Sequence, residues 1–244
     1  MSIEIVPIGD SAISISFGNE INESTHHQIN HFSQNFRTLK IDGVIECVPT
    51  YTSIAIFYDP TKIRCSQLEK MVYSVMELAM NSKPLSSIVY RIPVYYGGKT
   101  GPDLPFVAEY NNISEQEVIN VHSNKEYLVH MIGFVPGFPY LGGLNKKISA
   151  PRLEIPRAKI AAGSVGIGGD QTGIYSAQVP SGWRIIGITP LTLFDIEDDN
   201  PSLLSAGNYV SFFSVEFEEF LDIKELAAIK KYEVLTYKKG EQIT

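Results

Sequence analysis

Between Met131 and Leu144 the chain reads MIGFVPGFPYLGGL, with four glycines, two prolines and three aromatic residues in fourteen positions. No regular helix or strand is written this way. Glycine opens backbone conformations that a Cβ forbids, and proline fixes φ while removing a donor. The pattern specifies a strand entering from Tyr127 and then a series of sharp, rigid turns. Gly133, Phe134, Pro136, Gly137, Phe138, Pro139 and Tyr140 are read together as one structural loop. Its three rings either staple the loop to a core or line a pocket. No acidic or basic side chain lies between His130 and Lys146, so residue chemistry alone favours the staple.

At 244 residues the chain suits one large domain or two small ones. With 44% hydrophobic and 19% charged residues it is globular rather than disordered. Its apolar runs fall far short of a membrane span. The stretch MSIEIVPIGD lacks a basic region followed by an apolar core, so no secretory signal is expected and the cytoplasm is the expected compartment. A net charge of −7 and a pI of about 5.3 argue against nucleic acid, which needs a basic stripe. Cys47 and Cys65 have neither CxxC nor HxxxH spacing. Two buried or half-buried thiols are expected, with no disulfide and no metal site.

Residues 1–85 are expected to form an α+β domain. Ile13, Ile15 and Phe17 alternate with Ala12, Ser14 and Ser16, the period of a half-buried strand, and Ile3, Ile5 and Ile8 mark another before it. Ile29, Phe32, Phe36 and Leu39 recur at three and four, one face of a helix over 22–39. His26, His27 and His31 lie on that helix. His27 and His31 have a spacing that metal sites use, but no third ligand is near, and a solvated face is expected. A strand pair over 44–48 and 53–58 and a helix over 66–80 follow, with a linker at 81–84. The order ββαββα gives a small sheet with helices on one face, taken here as a ferredoxin-like α/β sandwich with a docking or scaffold role.

Residues 86–244 read as strand-rich. A strand over 88–94 contains Pro93, which suggests an edge or a bulge. Turn formers fill 95–103, and a short helix is expected over 104–110. Ser114 and Glu117 fit a capping box that opens a helix to about 122. Short strands are expected at 159–161, 165–167, 173–179, 183–188, 191–196 and 209–213. A helix over 215–230 and a last strand over 232–237 complete the chain. Many short strands parted by Gly and Pro turns indicate a closed barrel.

Chemistry is sparse. Residues 163–169 are glycine-rich but lack the Lys-Ser/Thr that closes a P-loop, so strand and turn glycines account for them better. Ser164 is not in a Gly-x-Ser-x-Gly elbow, which argues against a serine hydrolase triad. Arg152 and Arg157 each follow a proline. A guanidinium on a stiffened backbone can clamp a carboxylate or a phosphate, or equally pair with an acidic loop. Gln171, Thr172 and Tyr175 can supply the uncharged hydrogen bonds that orient an amide or a lactam. Trp183, the only tryptophan, either walls a pocket or fills the barrel. His122 and His130 titrate in the right range for acid–base work, but a lone histidine beside a strand is more often structural.

The separated motifs GFVPGFPYLGGL, the Pro-Arg pairs ending in Arg152 and Arg157, GSVGI, QTGIY, PSGW and GITPL occur in that order. Together they resemble the family of the 5-oxoprolinase B subunit, also described as KipI-like sporulation-kinase inhibitors and as allophanate hydrolase subunit 1. The resemblance runs from about residue 88 to 213 and more loosely over the whole chain. It implies a cyclophilin-like β-barrel for residues 86–244. It implies a carboxyltransferase-like subunit, inactive alone, of an ATP-dependent 5-oxoprolinase that opens the lactam of 5-oxoproline to L-glutamate. The companion A and C subunits are the implied partners, and ATP is used by the complex. A lactam is a stable amide, so phosphorylation would turn a poor electrophile into one that water attacks. Arg152, Arg157, Gln171, Tyr175 and Trp183 become substrate-binding candidates because they fall on matching motif positions; no catalytic residue is assigned.

The KipI-like members imply an alternative, an inhibitor that binds a sporulation-type histidine kinase. Allophanate hydrolysis ranks behind both, since no Ser-Ser-Lys amidase signature is present. Prolyl isomerase activity is not expected from a cyclophilin-like fold alone. Three positions depart from the family pattern: Ser181 replaces a glycine, Ile188 an arginine and Asn145 an aspartate.

Overall fold

The computed structural model describes residues 4–80 and 87–241. The chain divides into two compact units, Met1–Leu85 and Ser86–Thr244. The expected linker at 81–84 lies outside the described residues, as does Ile3.

In the first unit β1 (Glu4–Pro7) and β2 (Ala12–Ser16) precede α1 (Glu23–Thr38), β3 (Val44–Pro49), β4 (Ser53–Tyr58) and α2 (Cys65–Met80). The sheet order is β1-β2-β4-β3 with every neighbour antiparallel. Ile13, Ile15, Ile54 and Ile56 form one buried face, in one cluster with Ile29, Phe32 and Phe36 of α1 and Leu68, Val72 and Val75 of α2. The side chain of Asn22 caps α1 by accepting from the Thr25 N–H at 2.8 Å. The expected solvated histidine face is corrected: His26 is buried, and His27 and His31 are half-buried. Cys47 is buried and Cys65 half-buried, both as free thiols, and burial pushes both upward in pKa.

The second unit begins with β5 (Ile88–Tyr96), α3 (Leu104–Tyr110), α4 (Glu115–Ser123), β6 (Glu126–Ile132) and β7 (Pro139–Gly142). It continues through β8 (Arg157–Ile160), β9 (Ser164–Gly168), β10 (Gln171–Ile174), β11 (Val179–Ser181), β12 (Arg184–Ile188), β13 (Tyr209–Ser214), α5 (Phe217–Ala228) and β14 (Thr236–Lys238). Seven strands run β12-β9-β10-β7-β6-β13-β5, and β5 pairs back to β12 to close a barrel. Among the described strand pairs only β5–β13 is parallel. Ile92, Val94, Tyr127, Val129, Leu141, Val165, Ile167, Ile186, Val210 and Phe212 belong to its core. Outside the barrel, β8 and β11 form a two-stranded ribbon with a bulge between Val179 and Ser181.

Three strand expectations are corrected. Pro93 lies in a central strand, not at an edge. The Arg91 N–H donates to the Leu235 carbonyl beside β14, and strand alternation turns the Pro93 nitrogen to the same flank. That flank changes partner there, from β14 at residues 88–90 to β12 at 95–96, so no ladder bond is lost. The structural loop hides a strand, β7, between β6 and β10. Pro139 opens it, a position where a missing donor is tolerated. Residues 191–196 make no strand beyond a single bridge between Phe194 and Ser202. Asp195 and Asp198 instead accept backbone N–H groups two residues on, which turns the chain.

A polar chain crosses the barrel interior at His122, which is fully buried and stacked on Phe212 with centroids 4.6 Å apart. Thr172 donates its hydroxyl proton to the Gly166 carbonyl at 3.0 Å. Its oxygen must therefore accept from His122 Nε2–H, 2.9 Å away. The Nδ1 lone pair is then left to accept from the Tyr96 hydroxyl at 2.8 Å. Burial holds His122 down to a pKa of about 3, and His130 to about 4.

Asp103, immediately before α3, fastens the ribbon to the barrel. Its side chain is 7% exposed, and its two oxygens receive the Arg157 fork at 2.7 and 2.8 Å. One oxygen also accepts the Ile185 N–H at 2.7 Å. Arg184 approaches to 3.8 Å while stacking over Phe106 at 3.6 Å. Removing one partner of such a pair leaves a charge uncompensated.

Asp103→Ala is accordingly expected to destabilise the protein by about 3 kcal/mol or more, read as a fall in the urea midpoint. Replacement of exposed Arg152 should stay within about 0.5 kcal/mol. A second expectation concerns pH. Above about pH 6.5 both histidines are neutral folded or unfolded and stability is indifferent to them. As pH falls below that, the unfolded chain binds protons that the folded chain refuses. Stability then drops with a slope approaching about 1.4 kcal/mol per pH unit for each ring. Urea titrations at pH 7.5 and 5.0 should show that drop, and His122→Gln should reduce it relative to the wild type.

Candidate functional site

Trp183 sits in the turn between β11 and β12, and its indole lies across strands β9 and β10. A Cβ on Gly168 would stand 2.5 Å from the indole nitrogen, and one on Gly173 would stand 3.2 Å from the ring. The glycines of β9 and β10 thus form a floor without side chains, on which a large flat ring can rest. This is the use of the glycine-rich run: Val165 and Ile167 fill the barrel on one side of β9, while the glycines admit Trp183 on the other.

Phe138 is the hub of the aromatic cluster above that floor. Its ring meets Tyr140 at 5.1 Å, Tyr175 at 5.3 Å, Phe134 at 5.7 Å and Trp183 at 6.0 Å, all edge to face. Such pairs add about 0.5–1.5 kcal/mol each beyond area burial. The loop carrying Phe134 and Phe138 is pinned at several points. The Gly133 N–H donates to the Phe138 carbonyl at 3.1 Å, and the Phe138 N–H to the Val135 carbonyl at 3.1 Å. Ser176 donates its hydroxyl to the Pro136 carbonyl at 2.6 Å. Gly137 adopts φ +77° where a Cβ would strike Phe194. At the apex, the Val135 N–H bonds the Gly133 carbonyl across Phe134, whose φ is +69°. This is a three-residue γ-turn, and it leaves Phe134 62% exposed.

Phe134, Phe138, Tyr140, Tyr175 and Trp183, with Arg152, Pro156 and residues 180–182, line a cleft of about 320 Å³. The Arg152 guanidinium stands 5.9 Å from the Trp183 ring centroid. Tyr175 and Ser181 hydroxyl oxygens are 2.5 Å apart, and Ser181 Oγ accepts the Trp183 N–H at 3.2 Å. Burial pushes the Tyr175 phenol above its ordinary pKa.

Of the sequence candidates, the cleft gathers Arg152, Tyr175 and Trp183. Arg157 faces Asp103, and Gln171 lies at the start of β10 outside the lining. Thr172 is corrected as a lactam donor: it is fully buried with its hydroxyl bonded to Gly166 and His122. Asp103 was missed, since a lone aspartate among turn formers carries no local signal. Of the departures, Asn145 accepts the Lys147 N–H at 3.0 Å, a cap that aspartate would make equally well. Ser181 places a hydroxyl in the cleft. Ile188 lies on β12 opposite Ser164 and Tyr95.

Residues 3–204 match the family described as carboxyltransferase domain, subdomain C and D. The 5-oxoprolinase B subunit of Bacillus subtilis (strain 168) is 42% identical over 233 residues, covering 91% of this chain and 97% of that protein. The same subunit of Escherichia coli O157:H7 is 38% identical over 206 residues, covering 84% and 93%. The crystal structure of TTHA0988 superposes with a TM-score of 0.75 at 28% identity, over 84% of this chain. The chain spans about 40% of that longer polypeptide. By sequence over nearly its full length, and by fold, the chain belongs to the 5-oxoprolinase B-subunit family.

Proposed function

We propose that this chain is the B subunit of an ATP-dependent 5-oxoprolinase, a heteromeric complex that opens 5-oxoproline to L-glutamate. The observation that carries this is the 42% identity to a subunit of that name across 97% of its length. The cleft supports a binding rather than bond-breaking part. It is lined by aromatic rings, one guanidinium and the hydroxyls of tyrosine and serine, with no carboxylate, thiol or imidazole among the described lining residues. Activation of the lactam and attack by water therefore fall to the companion A and C subunits, and the chain alone is inactive. ATP is assigned to those partners as well, because β9 devotes its glycines to Trp183 rather than to a phosphate cradle. That TTHA0988 holds a like unit within a longer chain is in keeping with work beside further domains. A cytoplasmic complex is part of this reading and follows from the reaction proposed. Separately, no helix among the described residues is long and apolar enough to cross a membrane.

Arg152, Tyr175 and Trp183 are the substrate-contacting residues in this reading, with Arg157 positioning the ribbon through Asp103. The first unit serves as a docking module of ferredoxin-like type in altered chain order. There β2-α1-β3 flanks β4, and β1, the first strand in sequence, takes the edge beside β2.

Glutamate formation from 5-oxoproline and ATP should require A, C and this chain together. Equal turnover by A and C alone would overturn the assignment and favour the histidine-kinase inhibitor. Within an active complex, Gly168→Ala should displace the indole, shift Trp183 emission and lower turnover by about tenfold or more. Unchanged turnover with a shifted emission would separate the cleft from the reaction.

A further inference from the structure

Tyr175 and Ser181 each bring one hydroxyl proton to the cleft, and one of the two lies between their oxygens. If Tyr175 donates, the serine proton remains; if Ser181 donates, the phenol proton remains. Ser181 Oγ already accepts from the Trp183 N–H, and no acceptor for the remaining proton is found among the described residues. In either arrangement the pair offers the cleft one uncharged O–H donor.

Arg152 supplies the second polar feature. Among the described residues it is the one charged side chain of the lining, and no carboxylate pairs with it. Arg157 and Arg184, by contrast, are both held by Asp103. The other walls are aromatic rings with Pro156, Pro180 and Gly182, and about 320 Å³ is the lower end of the range for small-molecule pockets.

We infer that this chain itself holds the substrate, and that the cleft takes a small cyclic monoanion bearing a ring carbonyl. The carboxylate lies on Arg152, the ring lies against Trp183 and Phe138, and the carbonyl oxygen accepts from the Tyr175–Ser181 pair. Ser181 becomes a specificity-determining residue. The geometry gives a small anion with a hydrogen-bond acceptor beside an apolar body; that the body is a ring, the acceptor its carbonyl and the ligand 5-oxoproline rests on the B-subunit reading.

Trp183 is the only tryptophan, so its emission reports the cleft. The full-length chain would be titrated with L-5-oxoproline, cyclopentanecarboxylate, which lacks the carbonyl, and 2-pyrrolidinone, which lacks the carboxylate, with calorimetry in parallel. Saturable binding of 5-oxoproline is expected, about tenfold or more tighter than either analogue. Tyr175→Phe and Ser181→Ala each leave one hydroxyl, so each should weaken 5-oxoproline only a few-fold. The double variant should weaken it by about tenfold or more, leaving cyclopentanecarboxylate unchanged. Should the double variant not fold, exposed Arg152→Ala decides. It should weaken 5-oxoproline and cyclopentanecarboxylate alike and spare 2-pyrrolidinone.

No saturable binding to the wild-type chain by either method overturns the inference, as does a folded double variant that binds 5-oxoproline like the wild type. If the complex still needs this chain in those cases, the B-subunit reading stands and only the site is lost. If A and C work without it, the reading itself fails.

Discussion

A single buried carboxylate, Asp103, holds the outer layer of the barrel domain in place. Its two oxygens receive Arg157 from the ribbon, the Ile185 N–H from β12 and the outer approach of Arg184. Arg184 in turn donates to the Pro151 carbonyl at 3.1 Å, next to Arg152. Both chain segments that flank Trp183 are thereby tied to one point at the start of α3. A bidentate pair anchored on a buried carboxylate is directional as well as strong, which suits a part whose task is register.

Behind the floor, the barrel closes through a strand that serves three partners. β5 pairs with β13 along most of its length, with β14 at one end and with β12 at the other. The proline at the changeover removes a donor that would have had no acceptor. The His122 chain ties Tyr96 of β5, Thr172 of β10 and the Gly166 carbonyl of β9 into one interior network, every proton assigned. The carbonyl that ends this network belongs to the strand on which Trp183 rests. The interior and the cleft share a backbone.

What the sequence made legible was local. The Ser114 cap, the apolar face of α1 and most of the barrel's short strands rest on neighbours within a few positions, and these formed as expected. What it hid was long-range or masked by composition. Asp103 finds Arg157 and Ile185 at separations of 54 and 82 residues. The glycines of β9 looked like turn formers because the ring that needs them lies in another strand pair. β7 was obscured by the prolines and glycines around it, although it pairs with a partner on each side. Of the five candidate residues three lie together at the cleft beside the aromatic loop; the ion pair that claims Arg157 was not visible.

The γ-turn at Phe134 is held under strain. A bulky residue held at positive φ stores on the order of 1–3 kcal/mol of backbone strain. The fixings at Gly133, Pro136, Gly137 and Phe138 keep the loop as a whole from relaxing it. Phe134 itself is held at both ends, its flanking peptides bridged by the Val135 N–H and its ring set edge-on against Phe138 at 5.7 Å. The cleft rim is thus preloaded: the strain is carried in the ground state by the contacts around it, and loosening any one of them would be felt first at this residue.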